Sequence, residues 1–120
     1  MAQDRFVYWK KKKPTVKELR CLLEDYLGGA MAQIQDTVAG SRNPWWAIKL
    51  AGRPSAPWRR VKGYKNLAAC MEMQKERWFE VCVSSNSIDV MTRLGDEYTS
   101  VVAEGFASLV ARMYETKVTR

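Results

Sequence analysis

The chain has no histidine, and that absence removes a large share of side-chain chemistry. Ser-His-Asp and Cys-His catalysis, two-histidine zinc motifs and imidazole proton shuttling are all excluded. Cysteine is scarce too. Cys21, Cys70 and Cys82 form no CxxC pair, and an odd number cannot all pair within one chain, so reduced, mostly buried thiols are expected. Their spacing makes no closed four-ligand zinc site, and no EF-hand series of oxygen ligands occurs, so no metal is expected. Neither GxxxxGK[ST] nor GxGxxG is present, and "LGGAM" ends a helix where an anion-binding loop would begin one, which leaves no motif for a nucleotide cofactor. Long apolar runs are missing as well. Nothing approaches the roughly 18 residues of a membrane span, and the apolar part of "MAQDRFVYWKKKK" is too short for a signal peptide, so a cytoplasmic protein is expected, or a nuclear one in a eukaryote.

The 120 residues suit one domain over residues 1–120, with 47% hydrophobic and 28% charged residues, ordinary for a soluble globular chain. Positive charge is abundant and uneven. Residues 1–75 hold 15 basic and 6 acidic side chains, whereas residues 76–120 hold 5 and 7, within an overall charge of +7. A clustered field steers association in a way that a dispersed one does not, so the front of the chain favours negatively charged partners.

Hydropathy patterning predicts an α+β domain of two layers: an antiparallel sheet of about four strands in two hairpins, with an N-terminal and a C-terminal amphipathic helix on one face. "RFVYW" at positions 5–9 is β-prone and reads as a candidate edge strand within a basic N-terminal segment, 1–13. In "PTVKE", Thr15 and Glu18 form a capping box. Val16, Leu19, Leu22, Leu23, Tyr26 and Leu27 then recur at helical spacing, and Gly28 and Gly29 stop the helix. Residues 30–38 read either as a continued helix or as the first strand of a hairpin, the hairpin being preferred because "WWAIKL" alternates Trp46, Ile48 and Leu50 against Trp45, Ala47 and Lys49. "RWFEVCVSSNSIDVMTR" predicts a hairpin turning at Ser85 and Asn86, with Val83 opposite Ile88, Val81 opposite Val90 and Phe79 opposite Thr92. Its other face carries Trp78, Glu80, Cys82, Asp89, Met91 and Arg93. Asp96 can cap a last helix with apolar positions Tyr98, Val101, Val102, Phe106, Leu109, Val110 and Met113; Gly105 on that face implies close packing against the sheet.

This helix–strands–helix order resembles the double-stranded-RNA-binding domain in outline. The basic KKxAK-type signature that opens the last helix of that family is replaced here by "GDEYTS", so the family's function is not carried over.

No arrangement for catalysis stands out. Glu24 with Asp25, and Asp96 with Glu97, sit where capping and solubility account for them. Cys82 lies beside Glu80 and Asp89, whose charge disfavours a reactive thiolate. A non-enzymatic binding protein is therefore expected, its basic aromatic surface meeting a polyanion, foremost nucleic acid without sequence specificity. The candidate residues fall in two groups. Lys10, Lys11, Lys12 and Lys13 follow Tyr8 and Trp9; and Arg53, Arg59, Arg60, Lys62 and Lys65 share the long loop 52–65 with Trp58 and Tyr64. The alternative is a protein-interaction module, of inhibitor, immunity or assembly type, using the same front or the sheet face around Trp78, Met91 and Arg93.

Overall fold

The first strand lies inside the sheet, with a neighbour on each side. In the computed structural model, residues 3–28, 32–36, 43–52, 77–92 and 97–120 are described. Within them β1 (Gln3–Tyr8) buries Arg5 and Val7 on one face and turns Asp4, Phe6 and Tyr8 to the other. It is followed by α1 (Val16–Leu27), β2 (Ala32–Asp36), β3 (Trp45–Leu50), β4 (Arg77–Val83), β5 (Ser87–Thr92), α2 (Glu97–Met113) and a two-residue β6 (Val118–Thr119). The strands form one antiparallel sheet in the order β2-β3-β4-β5-β1-β6.

The α+β class, the antiparallel sheet and both expected helices are present, but among the described residues the sheet has six strands rather than about four. The difference lies at the chain's two ends. β1 is no edge strand: it pairs along its whole length with β5 and, at Phe6 and Val7, with β6. Two preferred readings hold. Residues Ala32–Asp36 are strand, paired with β3, and the β4–β5 hairpin sets Val83 opposite Ile88 and Val81 opposite Val90. Its turn at Ser85 and Asn86 is closed by the Ser84 amide, which donates to the Ser87 carbonyl at 2.9 Å.

One face of the sheet carries the core. Val7, Trp46, Ile48, Leu50, Phe79, Val81, Val83, Ile88 and Val90 meet Leu19 and Leu23 of α1 and Ala103, Phe106, Ala107 and Val110 of α2. Thr15 caps α1 as expected, its hydroxyl accepting from the Glu18 amide at 3.1 Å. The reciprocal half of the capping box is replaced by a tertiary contact: the Glu18 carboxylate accepts from the Tyr114 hydroxyl at 3.1 Å. Gly28 ends the helix with a φ of 65°, a conformation in which a Cβ is unfavourable.

α2 is rotated from the expectation. Thr99, Ala103, Phe106, Ala107, Val110 and Ala111 are its buried residues, while Tyr98, Val101 and Met113 are exposed. Small side chains bring a helix backbone close to a sheet, so Ala103, Ala107 and Ala111 share the inner face with Phe106 and Val110, while Tyr98, Val101 and Met113 are left outside it. The Arg77 guanidinium covers the Tyr98 ring, 4.6 Å from its centroid. Gly105 serves the contact between the helices rather than the sheet: a Cβ there would run into the hydroxyl of Tyr26, which donates to the Val102 carbonyl at 2.8 Å.

Among the described residues, one ionic side chain belongs to the core. Arg5 is 1% exposed and donates through Nε to Glu104 at 2.5 Å, through Nη1 to Thr92 at 3.2 Å, and through Nη2 to Gln3 at 3.0 Å and Ser100 at 2.9 Å. Arg120 completes the cluster on the second oxygen of Glu104.

Candidate functional site

Between β1 and α1 the chain crosses one corner of the sheet, and both ends of the crossing are fixed. At the start, the Trp9 amide donates to the Asn86 carbonyl at 2.9 Å, and the Trp9 ring meets Tyr114 edge-on with centroids 5.7 Å apart. The Thr116 hydroxyl donates to the Tyr8 carbonyl at 2.9 Å. At the far end Pro14 is buried and Thr15 caps α1. Lys10, Lys11, Lys12 and Lys13 lie between these anchors, and all four are exposed. Lys12 approaches Glu115 at 3.9 Å, an exposed contact that leaves its charge largely to solvent.

Two further groups join this corner. Lys117 is exposed immediately before β6, whose Val118 is paired with Val7 of β1. Tyr8 closes β1 on the open face of the sheet, 45% exposed, its ring stacked on Phe6 with centroids 5.9 Å apart and planes 23° from parallel. Sequence reasoning gave Tyr8 no role of its own and missed Lys117. Strict alternation along β1 was the available signal for Tyr8, because it separates Tyr8 from Trp9. For Lys117 there was none, since its place depends on the pairing of β6 with β1.

The rest of the open face has a different character. Across the strands, Glu80 stands opposite Met91, which stands opposite Asp4; in the next row Trp45, Cys82, Asp89 and Phe6 follow one another. Carboxylates are therefore spread over the middle of this face, away from the lysines. Burial first, then Asp89 and Glu80, push the Cys82 thiol up, so the thiolate is disfavoured at neutral pH, in the direction expected from those two carboxylates. Cys21 is exposed on α1, contrary to the expectation of mostly buried thiols. Among the described residues no cluster of acidic or cysteine side chains is arranged to hold a metal ion, and no helix is long and apolar enough to cross a membrane.

The structure thus gathers Lys10, Lys11, Lys12 and Lys13 at one corner. Trp78 is half-buried on the open face opposite Lys49 of β3, and Met91 on that face is buried, at 9% exposure. Trp46 is core, as its alternation with Ile48 and Leu50 implies. Arg53, Trp58, Arg59, Arg60, Lys62, Tyr64, Lys65 and Arg93 lie outside the described residues. No protein-family model, curated protein or solved structure matches the chain.

Proposed function

We propose that this is a non-enzymatic binding protein whose lysine corner contacts a polyanion, foremost nucleic acid, without reading sequence. The observation that carries the reading is the exposed run Lys10 to Lys13, fixed at both ends so that four ammonium groups are displayed from one short crossing, with Lys117 beside them. Lysines presented this way neutralise phosphates and release condensed counterions, which supplies affinity without base readout. The loop cations Arg53, Arg59, Arg60, Lys62 and Lys65 extend the same proposal along the chain. A protein partner on the open face around Trp78 is the lesser reading, because Met91 there is buried and has little surface to offer.

Salt dependence is the test. Affinity for a fluorescent duplex oligonucleotide should fall steeply between 50 and 200 mM salt, as is usual for several phosphate contacts at about 0.9 units of slope each. Changing Lys10, Lys11, Lys12 and Lys13 together to alanine should lower the slope by roughly three and a half units, at about 0.9 for each of four contacts. Absence of binding at low salt would remove the proposal.

A further inference from the structure

We infer that the form of nucleic acid this corner takes is an unpaired strand, with Tyr8 as the stacking platform; the inference rests on the polyanion reading above and names its ligand class. Lysines alone do not distinguish a duplex from a single strand, since both present phosphates. The ring beside them does. Tyr8 is two residues before Lys10, lies on the open face of the sheet, and is nearly parallel to Phe6 at 5.9 Å. Phe6 is half-buried and backs one side of the stack, while Tyr8 remains 45% exposed. Trp9, the larger ring, is not the platform, because it is turned to the other side and held edge-on by Tyr114.

Charge sets how a ligand can lie. Asp4 is exposed on the same face inward of Tyr8, so phosphates are disfavoured there and favoured over Lys10 to Lys13. A single strand meets both conditions by turning its uncharged bases over the ring pair and its phosphates toward the lysines. A duplex presents phosphates on both outer edges and keeps its bases paired inside, so it meets the lysines but not the ring.

The test compares a fluorescent oligothymidylate with a duplex of equal length in one low-salt buffer, using the full chain and the variants Tyr8→Ala, Tyr8→Phe and Tyr8→Leu. The single strand should bind more tightly than the duplex. Tyr8→Ala should weaken single-strand binding by roughly 5- to 150-fold, the range for loss of one base–ring stack, and leave duplex binding unchanged. Tyr8→Phe should keep the preference. Tyr8→Leu, which retains apolar contact with Phe6 and so protects against misfolding of the alanine variant, should lose it. Equal affinity for the two forms, or a single-strand affinity indifferent to the ring, would overturn the inference and leave the lysine proposal standing. No binding of either form would overturn both.

Discussion

Arg5 and the run Lys10 to Lys13 lie a few residues apart and put positive charge to opposite uses. Arg5 is withdrawn from water beneath α2, and its planar guanidinium finds a carboxylate, two hydroxyls and an amide oxygen. Burial first, then the nearby Arg120, lower its pKa, against the opposing pull of Asp89 and Asp4; a guanidinium stays protonated regardless. The lysines have no such enclosure. Among the described residues, the only ion pair in their run is the exposed one from Lys12 to Glu115. A buried charge must be satisfied within the fold and so becomes part of it, whereas an exposed one costs the fold little and stays available to a partner. Density of cations along the chain therefore marks where binding is to be sought, and a solitary cation marks where the fold is vulnerable.

The largest effect should come from breaking that contrast at its buried end. Arg5→Ala empties a fully buried side-chain volume and leaves the buried Thr92 hydroxyl without its donor, while Glu104, a third exposed, keeps Arg120; it should cost about 2–4 kcal/mol, as core truncation and an unsatisfied buried polar group do. Urea denaturation would read it as a lowered midpoint, and an unchanged midpoint would mean that Arg5 does not anchor the core. Next is Gly105→Ala, beside Glu104 on α2. The added methyl would displace Tyr26 or shift the helix that holds the Arg5 cluster, costing about 1–3 kcal/mol as overpacking does. Adding Tyr26→Phe, which removes the obstructing oxygen, should recover part of the loss in a double-mutant cycle. The smallest effect on stability should come from the exposed end. Changing Lys10 to Lys13 to alanine should move stability by no more than about 0.5 kcal/mol per site, with some relief of like-charge repulsion. A destabilisation equal to that of Arg5→Ala would erase the distinction.

How much of this was legible in the sequence depends on how local the determinant is. The start and stop of α1 were, because Thr15 and Gly28 act within a turn of the helix. The β4–β5 register was, because a short turn fixes it and a one-residue slip would expose the whole apolar row. Half of the Thr15–Glu18 capping box was not, since Tyr114, 96 positions away, engages the glutamate. The inward face of α2 was legible at Phe106 and Val110 but not at Ala103, Ala107 and Ala111, which the sheet selects for close approach while leaving Val101 outside. Arg5 gave no signal at all, because an arginine in a β-prone run reads as a solvent-facing break until Ser100 and Glu104 are folded over it. At the candidate site, the lysines were legible as a run and Trp46 as core, while Lys117 became part of the corner only through β6.

The position of β1 between β5 and β6 also sets a timetable. Arg5 and its partner Thr92 are 87 positions apart, so at roughly 5–20 residues per second of synthesis the first strand waits roughly 4 to 17 seconds for its neighbour to be made. Pairing between such distant segments slows folding relative to local contacts, because loop-closure entropy is lost before the strands can meet. β1 can therefore be enclosed only after β5 and β6, which follow it along the chain, are present. Lys10 to Lys13 are exposed in the folded chain, but the corner that displays them takes shape only when β6 closes against β1.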